Sequence, residues 1–303
     1  MTGWTMAGGG RAAPDDQVRG LDHVLTYLRA ETLDEAQARW RRGGFFVDDE
    51  RNVISVPGVT TGFVRFGHEF LEFLSVVDDP AFRGAGPAMP ADPAVRAAGR
   101  PFALGFDHDE TQAYAASLRA RGYDRPPPRW QAYPWDANTG IAILDEIIPG
   151  VAVFACSFAT PKRQWPPLPS AARPIPPNRI RRWAGVVMVT TSPHAQAEAW
   201  RRVLCPTRPL VDDVLGHGFD VNNGRLRWQT PTQWQGWAGR PAPVPRHRYD
   251  EIGLLLMESD DPAQSAAAVA AGGWQVEMAG PDAFFIRPDM RDGVAMYVSR
   301  LKA

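Results

Sequence analysis

Two short apolar runs each carry one residue suited to acid–base or metal chemistry. The first is LDHVLTYL, residues 21–28, with His23; the second is RFGHEFLEFLSV, residues 65–76, with Glu72. An imidazole beside a carboxylate can act as a base held by its orienting partner. The same two groups are suitable ligands for divalent Zn, Fe, Mn, Co or Ni. Strand alternation places Leu21, His23, Leu25 and Tyr27 on one face of the first run, and Phe70, Glu72 and Leu74 on one face of the second. His23 and Glu72 are then the polar exceptions on apolar faces. Tyr27 shares the His23 face as a candidate proton donor or substrate contact. Two readings of the pair stand. Either a divalent ion sits between them, or they hydrogen-bond each other and avoid the roughly 1–3 kcal/mol cost of burying a polar group unpaired.

The elements that must position these residues recur along the chain. Between the two runs lies TLDEAQARWRRGGF, an amphipathic helix pattern that stops at Gly43-Gly44. VISVPG and GFVRF add strands before the Glu72 run, giving a first unit over residues 19–78. The order strand, helix, strands returns three times. PFALGF leads into ETQAYAASLRARGY, then IAILDEI and VAVFACSF. WAGVVMVTT leads into HAQAEAWRRVL and a hairpin with an Asn-Gly turn, FDVNNGRLRWQT. EIGLLLMES leads into DPAQSAAAVAAGGW, then DAFFIR and VAMYVSR. The Pro-rich stretch at residues 161–178 reads as a linker between a first half, residues 19–160, and a second, residues 179–303. Residues 1–18 read as a loose tail. A unit of about 55 residues with one helix buries too little surface to stand alone, so the units are expected to pair.

Composition narrows the function classes. The 303 residues are 44% hydrophobic and 22% charged, with a formal net charge of −1. Near-neutral charge without a long basic run argues against nucleic acid as a partner. No apolar stretch reaches the roughly 20 residues of a membrane span, and no signal-peptide pattern opens the chain, so a cytoplasmic protein is expected. Cys156 and Cys205 are the only cysteines, too few for a disulfide scaffold. There is no P-loop and no GxGxxG motif after a strand, so no nucleotide cofactor is expected.

The residues Leu21-Asp22-His23, Pro57-Gly58, Arg65-Phe66-Gly67 and Leu71-Glu72 resemble the first unit of glyoxalase-like families in the vicinal-oxygen-chelate superfamily. The resemblance implies an α+β fold of four βαβββ modules, paired into two curved-sheet, barrel-like halves with a ligand pocket inside each sheet. It also implies a small-molecule substrate or ligand and admits a homodimer. Relatives use a metal to chelate two adjacent substrate oxygens; others are isomerases, lyases, dioxygenases, thiol transferases or antibiotic-sequestering proteins. Aligning the units puts Phe102, Gly185 and Ile252 at the His23 position, and Cys156, Trp228 and Tyr297 at the Glu72 position. Only the first unit keeps both groups, and Cys156 could complete a His23–Glu72–Cys156 set if units one and two share a sheet. The leading expectation is an enzyme of metal-assisted lyase, isomerase or dioxygenase type. The alternative is a metal-free binding protein with an aromatic-lined pocket, drawing on Trp228, Trp234 and Trp237.

The remaining histidines read as structural. Asp107-His108-Asp109 fits a helix cap, His68 a hairpin turn, His194 a first helical turn and His247 a basic loop; His217 has no assigned role.

Overall fold

The computed structural model describes residues 16–48, 58–77, 93–125, 127–133, 136–144, 147–148, 150–159, 176–239, 252–288 and 291–301. The tail before residue 16, the VISVPG strand expectation at residues 53–57, most of the Pro-rich stretch and His247 lie outside them. Four modules follow one another. The first contains β1 (Gly20–Tyr27), α1 (Leu33–Arg42), β2 (Phe46–Val47), β3 (Val59–Phe66) and β4 (Glu69–Val76). A short α2 (Pro93–Ala98) precedes the second, β5 (Pro101–Asp107), α3 (Thr111–Ala120), β6 (Arg129–Tyr133), β7 (Asp136–Ile143) and β8 (Ala152–Cys156). The third has β9 (Ile180–Val189), α4 (Pro193–Leu204), β10 (Val211–Asp213), β11 (Gly216–Val221) and β12 (Gly224–Gln229), followed by α5 (Pro231–Ala238). The fourth has β13 (Ile252–Ser259), α6 (Pro262–Ala271), β14 (Val276–Gly280), β15 (Ala283–Ile286) and β16 (Met296–Arg300).

Modules pair through their first strands. The order β2-β3-β4-β1-β5-β8-β7-β6 makes one eight-stranded sheet, and β10-β11-β12-β9-β13-β16-β15-β14 makes the other. Each module sets its first strand parallel to its last strand, and β1–β5 and β9–β13 join the modules antiparallel. Both sheets are open, with β2 and β6 at the edges of one and β10 and β14 at the edges of the other.

Local chemistry sets the helices. Thr32 and Glu35 form a reciprocal capping box at the start of α1. Asp261 caps α6, whose backbone ends on Gly272. The expected cap at Asp107-His108-Asp109 is built differently. His108 Nδ1 accepts from the Glu110 N–H at 2.9 Å, and Asp109 instead accepts from Arg19 at 2.8 Å.

One face of each sheet packs against helices in a single core shared by both sheets. It contains Trp40 of α1, Tyr114 of α3, Trp200 of α4 and Val269 of α6. Asp292, fully buried, accepts from Arg39 at 2.7 Å and from the Trp40 indole at 3.0 Å, tying α1 to the fourth module. Trp40 also meets Trp274 edge-on at 4.8 Å. The opposite faces differ. On the first sheet Leu25, Tyr27, Leu74, Phe102, Phe154 and Cys156 gather. On the second, Val187, Leu254 and Leu256 are covered by Trp234 of α5, with Trp237 packed against them. Among the described residues no helix is long and apolar enough to cross a membrane.

Two sequence expectations change here. Leu21 packs in the helix-side core rather than on the His23 face, because the β1–β5 register skips a residue between Leu21 and His23. Trp228 also faces the helices, T-shaped against Trp200 at 5.2 Å, so it does not occupy a cavity position of the third module.

Candidate functional site

His23 and Glu72 meet on the face of the first sheet opposite α1 and α3, where Val95 of the short α2 packs with Leu25 and Tyr27. Parallel pairing sets His23 opposite Phe70 and Leu25 opposite Glu72, so alternation turns both polar groups to one side. His23 Nε2 lies 3.6 Å from Glu72 Oε2, and each residue is over nine-tenths buried. Phe70 stacks on the imidazole at 4.6 Å, and Phe154 of β8 approaches it at 5.1 Å. Across β5 the imidazole faces Gly105. A Cβ there would fall 2.8 Å from His23 Cε1 and Nδ1, so the ring occupies space that only glycine leaves.

Asp22 completes the array. Its Oδ2 lies 2.9 Å from His23 Nδ1, and its side chain is fully buried. The irregularity that brings these sequence neighbours together lies next to a contact from the second sheet. The Leu21 N–H donates to Asn223 Oδ1 at 2.7 Å, and Asn223 Nδ2 donates to the Leu21 carbonyl at 2.8 Å and to Glu69 at 2.8 Å. The Asn-Gly hairpin turn between β11 and β12 thus gives β1 a side-chain rung beside the skipped residue. Gly20 makes room for it, since a Cβ there would lie 2.3 Å from Asn223 Oδ1.

Electrostatics follow from burial. Desolvation, opposed by Glu72 and reinforced by Arg65, holds the His23 pKa down at about 4. The imidazole is therefore neutral near pH 7. With Asp22 accepting from Nδ1–H, the Nε2 lone pair is directed at the carboxylate. Desolvation also raises the Glu72 pKa, opposed by His23 and Arg65. Two acceptors separated by 3.6 Å, beyond hydrogen-bond length, call for a proton or a cation between them. A neutral imidazole backed by a carboxylate is also the form in which histidine binds metals. These donors suit a divalent ion. Arg65, hydrogen-bonded to Asp48 at 2.7 Å, lies over the Phe70 ring at 4.7 Å and adds positive charge beside the pair.

The other expected site residues are placed as follows. Cys156 groups with Asp22 and His23, their donor atoms all within 4.8 Å of one another, rather than with His23 and Glu72 as a set. It is buried on the Tyr27 side of the sheet. Tyr27 stacks on Phe102 at 4.7 Å, and its phenol pKa is raised by burial. It lies four residues from His23, about 13 Å along the strand, so the two can meet only opposite ends of one ligand. Asp22 and Arg65 were not assigned roles from sequence. Arg65 is legible in the RFG run, whereas Asp22 depends on the backbone irregularity.

The structure is similar to several solved ones. Catechol 2,3-dioxygenase is 11% identical with a TM-score of 0.55, and the match covers 94% of this chain and 89% of that one. The Mn(II)-bound glyoxalase from Novosphingobium aromaticivorans is also 11% identical at a TM-score of 0.55, covering 94% and 82%. The 2,2',3-trihydroxybiphenyl 1,2-dioxygenase from dibenzofuran-degrading Sphingomonas wittichii strain RW1 is 13% identical at 0.55, covering 94% and 91%. At such identities the likeness is one of fold. No curated protein matches the chain. Residues 21–204, more than half of the sequence and running from β1 to α4, match the model of the glyoxalase-like domain. The chain therefore belongs to the glyoxalase-like domain family, within the vicinal-oxygen-chelate superfamily.

Proposed function

We propose that the protein is an enzyme whose site is the Asp22–His23–Glu72 array on the first sheet. Its substrate is a small aromatic or oxygenated metabolite with two adjacent oxygens, and its reaction is a lyase, isomerase or dioxygenase step assisted by a divalent metal. The observation that supports this most is the buried His23–Glu72 pair, held 3.6 Å apart with the imidazole lone pair facing the carboxylate. His23 and Glu72 would hold the ion, which when bound supplies Lewis-acid polarisation of substrate oxygens. Asp22 fixes the His23 tautomer and ring orientation. Phe63, the cross-strand partner of Glu72, packs edge-on against Phe70 at 5.0 Å, and with Phe154 these rings give the site an apolar lining. Arg65 stands ready to meet an anionic substrate group, and Tyr27 keeps its proton for the far end of the ligand. Cys156, beside His23 and Asp22, is the remaining candidate ligand.

A metal-free binding protein is the second reading. It is favoured by the second module, which places Gly105 and Phe154 against His23. On either reading the partner is a small molecule. A cytoplasmic location is supported by two buried cysteines, Cys156 and Cys205, that form no disulfide, which suits a reducing compartment. Gel filtration tests the homodimer.

Metal analysis of protein purified without chelators decides between the readings, alongside Glu72→Gln. Near-stoichiometric Zn, Fe, Mn, Co or Ni that falls in the variant, together with turnover of a diol, α-keto compound or catechol, is the expected result. Ligand binding without turnover after reconstitution, with a metal content that Glu72→Gln leaves unchanged, would establish the second reading instead.

A further inference from the structure

We propose that His194 and His217, the latter backed by Asp212, form a second site for a divalent transition metal such as zinc, on the α4-covered face of the second sheet and separate from the His23–Glu72 pair. Asp212 of β10 and His217 of β11 are direct cross-strand partners, so their side chains leave the sheet on one face. His217 is in turn opposite Trp228, which packs under α4. His194, the second residue of α4, lies over this pair, with its ring centroid 3.7 Å from that of His217. One donor atom from each of the three residues lies within 4.8 Å of the other two.

The state of His217 points to a ligand. It is only 7% exposed, and its Nδ1 lies 2.7 Å from Asp212 Oδ1. Its Nε2 is buried and finds no hydrogen-bond partner among the described residues. With the aspartate accepting from Nδ1–H, Nε2 holds an unused lone pair, the arrangement in which a carboxylate prepares an imidazole for a metal. Buried polar atoms are rarely left unsatisfied. His194 and Asp212 are both exposed, which gives the ion a route in from solvent. Two imidazoles, one of them backed by a carboxylate, suit zinc, cobalt, nickel or copper, with water completing the coordination. Neighbouring ligands of tetrahedral zinc stand about 3.3 Å apart, so the exposed His194 closes on the ion by rotating its side chain. The positive end of α4 opposes a cation here, and the Asp212 carboxylate offsets it. Such an ion would pin the first turn of α4 to the β10–β11 edge.

Zinc titration calorimetry and thermal melts on the full chain test the site, comparing wild type, Glu72→Gln, His194→Ala and Asp212→Asn. Glu72→Gln should still take up one equivalent and melt at a higher temperature with zinc. His194→Ala, altered at an exposed position, should lose that equivalent and its thermal shift while keeping the wild-type far-UV spectrum. Asp212→Asn should bind about 10–100-fold more weakly. Equal zinc uptake and affinity in His194→Ala and wild type, or no uptake by Glu72→Gln, would overturn the proposal. Loss of an equivalent in Glu72→Gln alone concerns the first-sheet site and leaves this one standing.

Discussion

At the scale of single residues, Glu72 is held at a cost to stability. Its carboxylate is desolvated and its pKa raised, so the folded protein resists the charge that a metal requires. Glu72→Gln in metal-free protein at neutral pH should therefore melt at the same or a higher temperature than wild type, while retaining less metal. This pattern, seen by differential scanning calorimetry with metal analysis, marks a residue kept for function. His23 has its own pH signature. Its pKa is near 4 when folded, against an ordinary 6.5. Between these values the unfolded chain binds a proton that the folded one refuses, so stability contributed by His23 is complete above about pH 6.5 and lost on acidification towards pH 4. The full swing is on the order of 3 kcal/mol. Urea unfolding across this range should slope more steeply in wild type than in His23→Gln, and equal slopes would disprove the buried, neutral imidazole. Both residues were legible in sequence because each is the polar exception on an otherwise apolar face of its strand. Asp22 was not, because its approach to His23 depends on Asn223, two hundred positions away.

At the scale of elements, the hairpin turn between β11 and β12 serves a strand of the other sheet. Asn223 satisfies both backbone groups of Leu21 and also reaches Glu69. Asn223→Ala should cost about 1–3 kcal/mol in urea unfolding. It should also lower activity or metal retention, since β1 regains the freedom to pair regularly and turn Asp22 away from His23. An unchanged metal content with reduced stability would limit the turn to a structural part. The strand–helix order of all four modules was readable from Gly stops and apolar runs. Helix α5 was not read, although Thr230 and Gln233 carry a capping-box spacing that the structure uses. The tryptophans of LRWQTPTQWQGW admit core or pocket positions, and the structure makes them core: Trp234 of α5 covers the second sheet, and Trp228 of β12 turns to the opposite core. Their faces are set by strand registers that composition does not encode.

At the scale of the whole molecule, the two sheets share one helix-side core, so neither is expected to unfold alone. Asp292 accepts from Arg39 and Trp40, from the Val294 N–H at 3.0 Å, and through its backbone carbonyl from Thr26 at 2.8 Å. Asp292→Ala leaves a buried guanidinium without this partner and should cost about 3–5 kcal/mol. Tryptophan fluorescence and far-UV circular dichroism should report a single coincident transition in wild type. Two separated transitions would show that the shared core does not couple the sheets. That the modules pair was foreseeable from the surface a lone unit fails to bury, although that unburied surface does not specify which module joins which. That the helix layers would then fuse across the pairs was not, because the contacts join residues such as Trp40 and Trp274 that no local pattern relates.

The Asn223–Gly224 turn also gives the protein a chemical age. Asparagine followed by glycine is prone to lose its amide through attack by the next backbone nitrogen, leaving aspartate or its iso-linked form. The product would set a carboxylate against Glu69 and the Leu21 carbonyl, replacing two donated hydrogen bonds with repulsion. Old protein would thus lose the geometry around His23 with every side chain of the first-sheet site still intact.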